Sequence, residues 1–291
     1  MATMRHIAHR IKGIKNIQHI TKAMKMVAAA RLKRAQSRLD SARPYAQKMA
    51  DVTMDLAMLS AGEGHTLLKR KAEPAHPLIV LFTGDRGLCG GFHERVIDRG
   101  TALAKELSGA NGAKPGFYVV GRQGARIMRR MRLAVDKTYP EATRGVTYTA
   151  AKALADALIG LYKQGLYDGI YLVFSRFQSA LVQKPRVFQL LPIVASLAKK
   201  QAPKGYFIFE SSAEKLLDGM LNGYVASEVF RAFLECETGE LGARMSAMTN
   251  ATDNAGEMIS RLVLDYNRAR QAQITRELSE IMGGAEALKS E

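Results

Sequence analysis

The sequence predicts a mixed α/β fold: a long antiparallel, left-handed coiled coil formed by the two ends of the chain, with a central doubly wound, Rossmann-like α/β domain between them. Three observations predict it. Seven of the eight prolines lie between positions 74 and 203. Of the Phe and Tyr residues, only Tyr45 precedes position 74 and only Tyr266 follows position 233. Both ends therefore lack residues that break helices or favour strands, and the middle is rich in both. Third, each end carries an uncharged track of heptad period. The expected divisions are 1–60 for the first coil helix, 74–203 for the α/β domain and 210–286 for the second coil helix, which pairs with 1–60.

The first element is justified by the track Ile7, Ile11, Ile14, Ile17, Thr21, Met24, Ala28, Leu32, Ala35, Leu39, Ala42, whose steps of three and four average 3.5 residues. A short step near Ile17 is cancelled by a long one before Ala28. Pro44 marks either a kink or the first turn of a following helix over Tyr45 to Leu59. The last element carries Leu241, Met245, Met248, Thr252, Ala255, Ile259, Leu262, Tyr266 and Ala269, again at a mean of 3.5, and resumes as Ile274, Leu278, Ile281 and Ala285. Either stripe alone would also serve as the core face of a helical bundle. Their matched period and terminal placement favour pairing with each other, with a left-handed supercoil. About fifty residues of helix make a rod of roughly 75 Å, far longer than a globular core needs.

Between them, likeness to strands is found at Pro77 to Thr83, Phe117 to Val120, Gly169 to Phe177 and Arg186 to Leu191, and helical patterns at Glu94 to Leu107, Ala125 to Leu133 and Ala151 to Tyr162. Strand, glycine turn and helix follow one another twice, as in a doubly wound sheet.

Several function classes are disfavoured. The loop Gly84-Asp85-Arg86-Gly87-Leu88-Cys89-Gly90-Gly91 follows the first strand, but it spells neither a Walker loop nor GxGxxG and reads as a tight turn. Gly121-Arg122-Gln123-Gly124 is a weaker signal still. No HExxH or GxSxG occurs, and His6, His9, His19, His65, His76 and His93 all precede the second strand. The two cysteines, Cys89 and Cys236, stand 147 positions apart, which excludes a CxxC pair and a cysteine zinc site. Neither a cofactor nor a metal is expected. Apolar runs are strand-length, short of the ~20 residues that span a bilayer. The basic, acid-free start runs into the helical pattern without a boundary and reads as mature structure rather than as a transit peptide.

Charge is the remaining clue. The chain carries a formal net charge of +16. Residues 1–50 hold twelve Lys and Arg and a single acid, Asp40. Because the seam excludes charge, these side chains surround the helix outside it. A nucleic-acid-binding helix, a membrane-surface helix and a shaft inside an acidic sleeve all fit such a pattern. From charge alone a basic coiled-coil nucleic-acid-binding protein leads, although no aromatic residues interleave the basic ones.

Three separated motifs add a resemblance. Ile7 to Gln36, with Ile20-Thr21-Lys22-Ala23-Met24 and Met26-Val27-Ala28-Ala29, resembles the N-terminal helix of the gamma subunit of F-type ATP synthase. Asp85 to Gly91 is similar to that family's loop after the first strand. Ala243-Arg244-Met245-Ser246-Ala247-Met248, Ala251-Thr252-Asp253-Asn254-Ala255 and Tyr266 to Ile281 resemble its C-terminal signature. The likeness covers essentially the whole chain. It departs at Gly84, where many relatives have serine, and at Phe92-His93, which replace the commoner Leu-Asn.

The resemblance implies a non-catalytic central rotor shaft, coupling proton-driven rotation of the membrane ring to ATP synthesis or hydrolysis on alpha and beta subunits. Contact with beta is expected from Met24, Lys25, Cys89, Arg268, Arg270, Gln271, Thr275, Glu277 and Glu280. Contact with the rotor ring of c subunits and the epsilon subunit is expected around Gly205, Tyr206, Phe207 and Glu210. Ile274, Leu278 and Ile281 suit a hydrophobic collar. The absence of a cysteine pair argues against the thiol regulation of the chloroplast form. No nucleic-acid partner is implied, and the expected location is the cytoplasmic face of a bacterial inner membrane, peripheral to it, a mitochondrial matrix form being less favoured.

Overall fold

The computed structural model describes residues 4–59, 65–69, 75–139, 146–194 and 213–289. The elements are α1 (Met4–Leu59), β1 (Pro77–Phe82), α2 (Phe92–Asn111), β2 (Gly116–Val120), α3 (Arg122–Arg130), β3 (Lys137–Tyr139), α4 (Tyr148–Lys163), β4 (Gly169–Phe177), β5 (Gln183–Leu191) and α5 (Ala213–Lys289). They form two compact units. One comprises Met1–Val27 with Met245–Glu291, the other Ala28–Arg244. The boundary falls inside both terminal helices.

In the first unit the helices run antiparallel: Thr21 meets Thr252, and Gln18 lies beside Gly256. Ile7, Thr21, Met248 and Ala255 are buried between them. Ile11, Ile14, Thr252, Ile259, Leu262, Tyr266 and Ala269 are half-buried. One assignment is corrected. Ile17 does not lie in the seam; it is 55% exposed, and half-buried Gln18 takes its place. Through Gln18 the steps from Ile7 alternate four and three without interruption, the pure heptad that a continuous helix pair demands. Along the rest of the track, Met24 and Lys25 are both half-buried.

The second unit is a five-stranded sheet in the order β3-β2-β1-β4-β5. β1 pairs in parallel with both β2 and β4, β3 is parallel to β2, and β5 is antiparallel to β4. The run Pro77–Phe82 is central because every residue is buried, as an unbroken apolar strand covered on both faces must be. Ile79, Leu81, Val119 and Val173 pack with Val96, Ile97 and Leu103 of α2 and Met128 of α3. On the other face Phe82 sets its edge against Phe233 of α5, centroids 5.0 Å apart. α4 runs alongside α5, since Tyr148 meets Phe230 edge to face and Lys163 pairs with Asp218. Thr147 caps α4 by accepting the Ala150 N–H at 3.2 Å.

β3 has no counterpart in the sequence reading: three residues at a sheet edge, two of them exposed, show no alternation. The helix also continues through Pro44. Leu39 and Ala46, buried on either side, hold it where the missing N–H would otherwise end it. Gly121 has φ +100° and a side chain there would strike the Thr83 carbonyl, so this turn requires glycine.

Candidate functional site

The strand order turns back between β1 and β4, and doubly wound folds hold ligands at the carboxyl ends of the strands at such a switch point. Here the place is taken by the chain itself. Thr83 Oγ1 donates to Val120 O at 2.6 Å and accepts the Gly124 N–H at 3.1 Å, which binds the β1 and β2 loops together. Asp85 Oδ1 accepts the Arg122 N–H at 3.0 Å. The Gly84 N–H donates to His93 Nδ1 at 3.3 Å. That bond leaves the ring proton on Nε2, which faces Arg86 O at 3.0 Å and Cys89 Sγ at 3.2 Å.

α5 then closes over the turn. The Glu240 carboxylate packs on Gly84, where a Cβ would collide with it. Arg244 pairs with Glu240 and donates to the Arg86 carbonyl at 3.3 Å and to the Gly87 carbonyl at 3.4 Å. Cys236 Sγ donates to Phe82 O at 3.4 Å. A carboxylate over the glycines, with the Gly84 N–H already bonded, makes this loop a mount for α5 and not a phosphate cradle. Burial, reinforced by the Glu240 charge, pushes the Cys89 thiol up to about 12. Burial also raises the carboxyls of Glu235 and Glu237 above their ordinary range.

The expected contact residues are distributed as follows. Met24 and Lys25 lie half-buried on α1, and Arg268, Arg270, Gln271, Thr275, Glu277 and Glu280 are exposed on α5. Gln273 Nε2 donates to Glu277 Oε1 at 2.9 Å along the same helix. Cys89, however, is only 2% exposed, so its side chain faces inward. Its neighbour Leu88 is the large apolar residue the loop exposes, 62% exposed and with φ 63°. The sequence analysis does not single it out, although a large apolar side chain amid four glycines is a visible signal. Gly205, Tyr206, Phe207 and Glu210 lie outside the described residues.

Extending the Thr21–Thr252 register places Ile7 near Tyr266 and Met4 near Ala269. Beyond that point α5 has no α1 residue opposite it among those described. Ile274, Leu278, Ile281 and Met282 are accordingly 48–71% exposed. One unit is thus a helix pair whose longer member runs on uncovered among the described residues, and the other is a doubly wound sheet whose ligand crevice is filled by its own helix.

The family described as ATP synthase matches residues 3–288. The ATP synthase gamma chain of Desulforamulus reducens is 42% identical over 289 residues, covering 99% of this chain and 100% of the relative. That of Pelotomaculum thermopropionicum is 43% identical with the same coverage. The chain is also similar to a chain of the Tetrahymena thermophila mitochondrial ATP synthase central stalk and c-ring, with TM-score 0.59 and 28% identity, covering 80% of this chain and 99% of that one. A chain of the Euglena gracilis mitochondrial ATP synthase shares the fold, with TM-score 0.67 at 19% identity over 98% of this chain and 94% of that one. The chain belongs to the ATP synthase gamma chain family, the central-stalk component of the enzyme. This assignment displaces the nucleic-acid reading of the basic charge.

Proposed function

We propose that the chain is a non-catalytic shaft that turns inside a ring of alternating alpha and beta subunits, driven through epsilon and the c-subunit ring on the cytoplasmic face of a bacterial inner membrane. The observation that carries this reading is the uncovered end of α5, where Arg268, Arg270, Gln271, Thr275, Glu277 and Glu280 stand exposed on one continuous helix. A helix holds side chains at fixed bearings. A single shaft inside a threefold ring must therefore present Arg270 and Gln271 to one beta subunit at a time. Each rotational position then favours a different nucleotide affinity at each catalytic site, a coupling by differential contact. Basic side chains around Met24 and Lys25 suit an acidic beta surface, and exposed Ile274, Leu278 and Ile281 suit an apolar collar. From the glycine loop the contact falls to Leu88 in place of Cys89.

The test is ATP hydrolysis by purified alpha and beta subunits with this chain, with Arg270→Ala/Gln271→Ala, and by the chain alone. Turnover is expected only in the mixture and should drop severalfold in the double variant while the complex still forms. Turnover by the chain alone, or no stimulation of a competent ring, would refute the proposal.

A further inference from the structure

Residues 65–69 form a closed turn tied to three other parts of the sheet unit. The Leu68 and Lys69 N–H groups both donate to His65 O, at 2.9 and 3.1 Å. Leu67 is completely buried, and its carbonyl accepts the Ile193 N–H at 2.8 Å just past β5. The Tyr162 hydroxyl of α4 donates to Lys69 O at 3.3 Å. The tie to α5 is the His65 ring, whose Nε2 lies 3.3 Å from Asp218 Oδ1. Its other nitrogen, Nδ1, accepts the Leu67 N–H at 3.2 Å. A neutral ring that accepts at Nδ1 carries its proton on Nε2, so Nε2–H donates to Asp218 and both nitrogens are satisfied.

The surrounding charges are few. Lys163 of α4 also donates to Asp218 Oδ1, at 3.3 Å, and Asn222 Nδ2 donates to Oδ2 at 3.1 Å. Burial opposes ionisation of Asp218, but the bonds and charges of Lys163 and His65 outweigh it and hold the carboxyl below its ordinary range. α1 packs on this stretch of α5, with Met49 against Gly223, and carries Asp51 and Asp55. Asp168 lies near the Tyr162 hydroxyl.

We infer that His65 is a proton-operated latch between this turn and the first turns of α5. A second proton can enter the ring only at Nδ1, the atom that receives the Leu67 N–H, and two N–H donors then face each other. The imidazolium keeps Asp218 as an ion pair, while the Leu67 N–H loses its acceptor and the turn loosens. Histidine is the side chain that ordinarily changes charge between pH ~5 and ~8. Acidification through that range therefore weakens the fastening of residues 65–69 to α4, α5 and the end of β5. The latch involves no partner subunit and does not depend on the rotary reading.

The test is amide hydrogen exchange of the full-length chain from pH 8 down to pH 5.5, corrected for the intrinsic rate at each pH and read at the Leu67 amide, with α4 as internal reference. Protection at Leu67 should fall severalfold across this range while that of α4 holds. His65→Asn keeps an acceptor near the Nδ1 position without a titrating group, so its protection should not change with pH. Asp218→Asn removes the charge that favours the imidazolium, and the midpoint should move down. Lys163→Gln removes the competing cation, and the midpoint should move up. Protection that is independent of pH in the wild type, that falls equally in His65→Asn, or whose midpoint responds to neither charge change overturns the inference.

Discussion

Thr21 and Thr252 meet hydroxyl to hydroxyl at 2.8 Å across the helix pair. Each also reaches a carbonyl of its own helix, Gln18 O at 3.1 Å and Met248 O at 2.7 Å. With one proton apiece the two hydroxyls can each be satisfied on their own helix, so their 2.8 Å approach reports the register in which α1 and α5 pack. Thr21→Cys/Thr252→Cys should therefore crosslink on mild oxidation and stabilise the chain by about 2–4 kcal/mol. Thr21→Cys/Ser260→Cys, two turns away, should remain reduced. A non-reducing gel separates the outcomes, and equal crosslinking of both pairs would mean that the register slides.

The contact between Gly84 and Glu240 makes a second prediction. Gly84→Ala puts a methyl group into the buried carboxylate that Arg244 holds, an overpacking that should cost about 1–3 kcal/mol. In a Glu240→Ala background the same change should cost much less. Denaturant titration of the four proteins gives the coupling. A cost independent of residue 240 would place the strain elsewhere.

Glu235 Oε2 accepts the Phe177 N–H at 2.6 Å from a buried position, and its burial raises the carboxyl's affinity for a proton. The sign follows from linkage. A carboxyl raised in the folded state favours folding most when protonated, below its unfolded range, and that contribution is lost as pH rises through the folded value. Glu235→Gln keeps an acceptor for Phe177 without the charge, so it should be more stable than the wild type at pH 7. The gap should close as pH falls toward 4. A variant less stable at pH 7 would show that the Arg43 charge, 3.9 Å away, outweighs desolvation.

The thiols work in the same direction at the alkaline end. Cys89 is pushed up to about 12 by burial and by Glu240, and Cys236 is raised by complete burial. Neither should react with a thiol reagent at pH 8 until the chain unfolds. Since the folded state holds these protons more tightly, stability should be full below pH ~9 and decline as pH rises toward 12. Rapid modification of one thiol in the native chain at pH 8 would contradict the burial of the loop.

What could be read from the residues alone follows from range. The unbroken apolar run of β1 and the heptad tracks are local patterns, and the structure carries both. Isoleucine is the more apolar choice at Ile17, whereas the structure seats Gln18 beside Gly256, a neighbour 238 positions away that no local period reveals. β3 was too short to show a period. The inward turn of Cys89 depends on His93 and on Glu240, which no spacing within the loop reveals. The exposed polar residues after Ala269 were legible as a break in the seam.

Leu88 separates stability from function. Its φ of 63° is a region where a side chain is strained and glycine is not, and its side chain is 62% exposed, burying little in return. A protein optimised only for folding would carry glycine here, as it does at Gly90, φ 59°, two residues on. Leu88→Gly should therefore cost nothing and stabilise the isolated chain by up to ~1 kcal/mol. If Leu88 is the residue with which this loop meets the beta subunit, the same change should lower ATP turnover of the reconstituted ring severalfold. Leu88→Asn separates the two effects, because asparagine tolerates this backbone region but offers no apolar contact. Its turnover should fall as for glycine, whereas turnover unchanged in both variants would remove Leu88 from the interface and leave its strained backbone without a function.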